Sequence, residues 1–236
     1  MPENNKGLLY EAQLNKALKK AGLQRASFQS AGSDSNAPDA ELTIKPAPLK
    51  VEVKLDLKVD FGQGSLDYDL EKKKWILGGA DTDSAKQMRV FLETIGVTRI
   101  VNLKWGRHGA PRKFTVPTEH FSKKDVEWDY SRFTDFFVQV PSDAVARYYN
   151  SKKTYYIQIG GGYGFYWMGH DVARLGAPKF TVNLRLRVRL KRGGSQPINN
   201  YRFTTALQAI SLPESQVSLD DAKYLMALKA RHGKKV

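Results

Sequence analysis

No cysteine occurs among the 236 residues, which excludes disulfide bonds and thiolate metal sites and fits a reducing cytoplasm. There is also no run of ~18 apolar residues and no basic amphipathic anchor, so neither a membrane span nor membrane attachment is expected. The opening residues Met1-Pro2-Glu3-Asn4-Asn5 lack the apolar core of a signal peptide, and a cytoplasmic location is the expectation. His108, His120, His170 and His232 are scattered, without metal-ligand spacing or an H-x-E or H-E-x-x-H pattern. Acids are scarce: 24 Asp plus Glu face 38 Lys plus Arg, a net charge of +14. Phosphate neutralisation is the natural use of such a surplus, which makes a nucleic acid the expected partner.

The hydrophobic content of 41% suffices for one elaborated domain, and no internal repeat is present. Val51, Val53, Leu55, Leu57 and Val59 alternate with Glu52, Lys54, Asp56, Lys58 and Asp60, so a strand here places Glu52 and Lys54 on one face. Asp39 opens the segment Ala40-Glu41-Leu42-Thr43-Ile44, and the connection through Pro46 and Pro48 reads as a turn between antiparallel strands. Such pairing brings Asp39 beside Glu52. Upstream, Gly7 to Leu18 has a helical period that gathers Leu8, Leu14 and Leu18 into one arc, and Glu11 falls inside it. An acid facing a core costs several kcal/mol unless paired or liganded, which makes Lys54 or a metal site its candidate partner.

Two converging carboxylates meet the need of a hard cation such as Mg²⁺ for oxygen ligands. A lysine on the same face can hold or deprotonate the attacking water, its ammonium pKa lowered by the metal and by burial. Asp/Glu-x-Lys also occurs at Asp56-Leu57-Lys58, Glu71-Lys72-Lys73 and Asp221-Ala222-Lys223, so the tripeptide alone decides nothing. Glu52-Val53-Lys54 differs in having the chain's one Pro-Asp, Pro38-Asp39, upstream of it and an apolar alternating strand around it. The alternative for the same residues is a solvated strand face whose ion pairs each contribute little.

Pro38-Asp39, a spacer, Glu52-Val53-Lys54 and a helical Glu11 together resemble the PD-(D/E)XK nuclease superfamily. The resemblance covers residues 6 to 104, with helix 6–22, strands near 25–30, 40–45 and 50–59, helix 84–95 and strand 97–104. It implies a restriction-endonuclease-like αβββαβ core with a mixed sheet in an α/β (α+β) fold. It further implies Asp39 and Glu52 as ligands to Mg²⁺, with Mn²⁺ as a substitute, Lys54 on the nucleophilic water and Glu11 assisting. Gln63, in Phe61-Gly62-Gln63-Gly64, is a candidate contact to phosphate or to a metal-bound water; a solvated glutamine in a glycine turn is the alternative. Gln87-Met88-Arg89-Val90-Phe91 nearly matches a Gln-x-x-x-Tyr element of exonuclease-like members, but Phe91 replaces the Tyr.

Residues 1–104 are therefore expected to form the nuclease core and 105–236 a β-rich elaboration that recognises substrate. The basic connection from Trp105 to Lys113 contributes Arg107 and Arg112 as DNA contacts. Thr181, Asn183, Arg185, Arg187, Arg189 and Lys191 alternate with Val182, Leu184, Leu186, Val188 and Leu190, predicting a long strand with one cationic face. Gly193 to Pro197 turns the chain toward a returning strand over 201–210, and such a ribbon fits the major groove of DNA. A sheet with one solvated face is the alternative. No acid stands among the arginines, and like charges on neighbouring positions repel unless a polyanion covers them. Ile159 to Phe165 carries glycines, but aromatic residues follow where a dinucleotide-binding helix would begin, and that reading is rejected. A docking helix with a basic end is expected after Ser218.

The sequence thus points to a Mg²⁺-dependent DNA endonuclease, with a homodimer expected if both strands are cut. The rivals are a silent nucleic-acid-binding protein and a nuclease acting on RNA or on branched or flap DNA.

Overall fold

The computed structural model describes residues 6–30, 38–44, 47–192, 198–213 and 217–232. The polar stretch 31–37, the prolyl connection at 45–46, the glycine turn at 193–197 and the basic end at 233–236 lie outside the described residues. In chain order, α1 (Lys6–Ala21) precedes β1 (Ala40–Leu42) and β2 (Leu49–Lys54). Next come β3 (Gly62–Asp69), β4 (Lys74–Gly78), α2 (Asp83–Thr94), α3 (Val97–Lys104), α4 (Arg112–Thr115), α5 (Lys123–Arg132) and β5 (Phe136–Gln139). The chain continues with α6 (Ser142–Ser151), β6 (Thr154–Ile159), β7 (Gly164–Trp167), β8 (Leu184–Arg192), β9 (Tyr201–Ala209) and α7 (Ala222–His232). No helix among the described residues is long and apolar enough to cross a membrane.

The architecture is mixed α/β with two sheets, and the chain divides into two compact units that each draw on separate stretches. Unit 1 comprises Met1–Val59, Val145–Asn183 and Ala209–Val236, and unit 2 comprises Asp60–Ala144 and Leu184–Gln208. This division differs from the expected boundary at 104.

Unit 1 holds a mixed four-stranded sheet in the order β1-β2-β6-β7. β2 is antiparallel to β1 and parallel to β6, and β6 is antiparallel to β7. Val51 and Val53 point inward, as their alternation predicts, and pack in one core with Tyr156 and Phe165, Leu14 and Leu18 of α1, and Leu225 and Leu228 of α7. Leu8, expected in the buried arc, is 40% exposed in the first turn of α1. The glycine run reads as a hairpin turn between β6 and β7, with Gly161 and Gly162 at φ 68° and 83°, a backbone region that side chains rarely adopt.

Unit 2 holds a five-stranded sheet in the order β4-β3-β9-β8-β5. Leu184, Leu186, Val188 and Leu190 of β8 are buried as the alternation requires. They share the inward side with an aromatic cluster in which Trp75 lies within 5.5 Å, ring to ring, of Tyr68, Trp105, Phe133 and Phe203.

Two expected strands are absent. Residues 25–30 form turns and coil. Val97–Lys104 forms α3 instead of the family's last core strand. Its β-branched residues favour a strand locally, but Val97 and Val101 are buried one turn apart, and Asn102 ties the backbone N–H and carbonyl of Trp75 at 2.8 and 2.9 Å. Tertiary context overrides propensity here. The strand that runs parallel to β2 is β6, about a hundred residues further along.

Gly160 is fixed by close approach: its N–H donates to the Lys54 carbonyl at 2.8 Å, and an added Cβ would lie 2.5 Å from the Leu55 carbonyl oxygen and 2.8 Å from the Tyr10 ring. Gly160→Ala is expected to destabilise the protein by about 1–3 kcal/mol through overpacking. Gly106→Ala, whose Cβ meets nothing closer than 4.0 Å, serves as the neutral comparison in the same denaturant titration.

Candidate active site

The site is built on the β1–β2 pair. Ala40 stands opposite Val51, so Asp39, one residue before the ladder, comes level with Glu52. Its Oδ2 accepts the Val53 backbone N–H at 2.9 Å, tying the acid to the strand that carries Glu52 and Lys54. The backbone of Asp39 is fixed from the other side, where Asn15 of α1 donates to its carbonyl at 2.9 Å. Asn15 is itself held by Gln24 at 2.7 Å, and Gln24 also reaches the Glu41 carbonyl at 3.0 Å.

Lys54 Nζ lies 2.7 Å from Glu52 Oε1, the two side chains being 17% and 12% exposed. Lys152, between α6 and β6, approaches Glu52 Oε2 to 3.6 Å and also lies over the rings of Tyr148 and Tyr149. The next residue, Lys153, adopts φ 55°, an uncommon conformation for a lysine, where the chain turns from α6 into β6.

These charges govern one another. Burial, then the charge of Glu52, pushes Asp39 up to about 6 against the pull of Lys54. Burial, then Asp39, pushes Glu11 up to about 7, with Lys54 opposing. Burial also works against the charge of Glu52, but Lys54 and Lys152 outweigh it and hold that carboxyl below its ordinary range. Burial lowers the Lys54 ammonium as expected, but with no metal present Glu52, Asp39 and Glu11 outweigh desolvation and hold it above its ordinary value. Within this constellation Lys54 is a charged donor, and the groups able to accept a proton are the carboxylates.

Sequence reasoning thus brought Glu11, Asp39, Glu52 and Lys54 into one unit, and it missed Asn15 and Lys152. Asn15 carried a signal, a polar residue beside Leu14 and Leu18 on the buried arc. Lys152 carried none, since its partner lies a hundred residues away. Gln158 was missed as well: fully buried on β6, it donates to Tyr10 Oη at 3.1 Å and Ser218 Oγ at 3.0 Å and accepts from the Leu219 N–H at 3.0 Å.

The other candidates belong to unit 2. Gln63 donates to Asp60 at 2.6 Å and accepts from Lys191 at 3.2 Å. Arg187 pairs with Asp135, Nε at 2.7 Å, and Arg189 with Asp60 at 2.9 Å. Acids from distant segments therefore neutralise two members of a row that sequence left unopposed. Arg185 lies over the Phe137 ring at 3.8 Å, Arg112 over Trp128 at 5.0 Å, and Arg107 contacts His108 at 3.3 Å. Phe91, at the place of the exonuclease-like tyrosine, is buried in unit 2.

Among the described residues, no three His, Cys, Asp or Glu side chains gather as a metal-binding group. Mg²⁺ asks for less, since it keeps several waters and takes one or two carboxylates plus substrate phosphate. Asp39 and Glu52 supply that donor set, and their mutual repulsion is of the kind a divalent cation relieves.

No family model, curated protein or solved structure matches this chain.

Two outcomes follow from the electrostatics. Asp39 and Glu11 bind their protons more tightly folded than unfolded, so their contribution to stability is complete below the ordinary carboxylate range and lost as pH rises through about 6 and about 7. The melting temperature of metal-free protein should fall across that window, and Glu11→Gln should remove the upper part of the fall. Lys152→Ala should tighten Mg²⁺ binding about tenfold in calorimetry, because the lost repulsion is a fraction of the roughly 4 kcal/mol that unit charges 4 Å apart exchange near a protein surface.

Proposed function

We propose that this protein is a Mg²⁺-dependent DNA endonuclease of the PD-(D/E)XK type. The observation that carries the proposal is the hydrogen bond from Val53 N–H to Asp39, which draws the Pro-Asp acid onto the strand that bears Glu52 and Lys54. The arrangement of unit 1 supports it: a helix with an inward acid, an antiparallel pair carrying the motif, and a parallel neighbour reached through α6. The parallel strand comes later in the chain than the family resemblance implied, with most of unit 2 inserted between.

In this reading Asp39 and Glu52 hold the metal. A bound divalent cation supplies Lewis-acid stabilisation of the charge that develops on the scissile phosphate. Lys54 keeps its proton and donates to the attacking water or to a phosphate oxygen, fixing the line of attack. Glu11, which faces Asp39 and Lys54, is the carboxylate left to assist as proton acceptor. Asn15 acts through Asp39 and is a positioning residue.

A second reading has a specific observation behind it. Glu52 lies between two lysines, Lys54 and Lys152, and a silent nucleic-acid-binding protein that uses the acid only to anchor cations would carry the same ion pairs. Metal dependence separates the two. Wild-type protein incubated with supercoiled plasmid and Mg²⁺ should yield nicked and linear products, and a chelator should abolish them. Glu52→Ala and Lys54→Ala should each slow cutting by about 100-fold or more, the scale of losing a positioned proton donor or acceptor. Salt-sensitive DNA binding that persists in both variants, with no cutting by wild type on duplex, branched or single-stranded DNA, would establish the silent binder.

A further inference from the structure

In unit 2, β5 runs antiparallel to β8 with Phe137 directly opposite Arg187 and Gln139 opposite Arg185, so these four side chains share one face of the sheet. The aromatic cluster around Trp75 lies on the other face. Phe137 is 49% exposed, unlike its neighbour Phe136, whose ring meets Trp105. The Arg185 guanidinium lies 3.8 Å from the centre of the Phe137 ring, and its buried Nε has no hydrogen-bond partner.

The cations around this pair are of two kinds. Arg187 and Arg189 are committed to Asp135 and Asp60, so neutralising a phosphate with either one first breaks an ion pair. By contrast, a cavity of about 410 Å³ beside the start of β5 is lined by Lys104, Arg107 and Arg132, which contact the Phe136 ring, His108 and the Trp128 ring and not a carboxylate, with Asp135 the one acid among its walls. The end of the sheet therefore carries a flat aromatic-guanidinium stack on one face of β5 and, where β5 begins, a basic recess whose walls include Trp105 and Phe136 of the other face, and not an uninterrupted row of free arginines.

We propose that Phe137 and Arg185 form a stacking platform for unpaired DNA bases, with the basic recess beside β5 taking the phosphates that flank them. A base in a duplex has both faces covered by its neighbours and cannot use such a platform, whereas an unpaired base of any identity can. The ligand class is DNA with a single-stranded part, recognised through stacking and charge and not through base edges. Where this bears on cleavage it rests on the nuclease reading above, and it assigns that enzyme substrates with unpaired strands in place of the major-groove reading suggested by the arginine alternation.

The test is binding by the full-length protein in chelator, where no cutting occurs, followed by fluorescence anisotropy of a labelled oligothymidine and of a blunt duplex. Wild type should bind the oligothymidine at least as tightly as the duplex. Phe137→Ala should weaken oligothymidine binding by about tenfold, the order of loss expected for one stacking side chain, and change duplex binding less than about twofold. Phe137→Trp should restore it, which a purely structural role for an exposed phenylalanine would not require. Equal loss on both ligands, no change on the oligothymidine, or binding of duplex alone would each overturn the proposal. The same protein with Mg²⁺ separates the two ideas: Phe137-dependent binding without cleavage of any DNA defeats the nuclease reading alone, and cleavage with Phe137-independent binding defeats the platform alone.

Discussion

Glu52 keeps its charge within unit 1 because Lys54 and Lys152 stand on either side of its carboxylate, and the other ionisable groups of the site respond to that fact. A carboxylate this poorly solvated would take up a proton if it stood alone. Held ionised by two ammonium groups, it becomes the fixed negative charge against which Asp39 and Glu11 must titrate. The result is a graded set, with one acid firmly charged and two holding protons into the range of neutrality. Pairs of acids whose environments drive their proton affinities apart are the arrangement that proton-transfer chemistry requires.

Such a set survives only if the backbone around it cannot relax. Asp39 is gripped at both ends, its side chain by Val53 N–H and its carbonyl by Asn15, and Asn15 is gripped in turn by Gln24. On the far side of β2, the buried Gln158 joins β6 to Tyr10 of α1 and to the segment that enters α7, where the Tyr10 hydroxyl donates to Asp220 at 2.7 Å. The amides of Asn15, Gln24 and Gln158 in these networks are buried. Their value lies in orientation, because a satisfied buried hydrogen bond fixes direction in a way that apolar contact does not.

The legible part of this site was its local part. Period-two alternation put Glu52 and Lys54 on one face, and two prolines between short apolar runs argued for the hairpin that carries Asp39 to them. Gln158 and Lys152 lie a hundred residues beyond β2, and no local period encodes which later strand will run parallel to it. The same limit explains α3. Val97, Thr98, Ile100 and Val101 favour a strand by their branching, and only the approach of Trp75, which presents its backbone to Asn102, makes a helix the better solution. For β8 the sequence disclosed the alternation and hid the neutralisation, since Asp60 and Asp135 arrive from other segments.

That neutralisation alters what the basic character of the chain can mean. A net charge of +14 draws a polyanion to the protein at long range and falls off with added salt, but it carries no preference between duplex and single strand. Preference arises from groups with shape, and an arginine already paired with an aspartate must break that pair before it can neutralise a phosphate. Groups of unit 2 with such shape include the exposed ring of Phe137, the guanidinium plane lying on it, and the cations of the recess beside β5. A flat ring reads the face of a base, which pairing conceals and strand separation reveals. On the readings proposed above, charge accounts for arrival at nucleic acid, and stacking accounts for the choice among its forms.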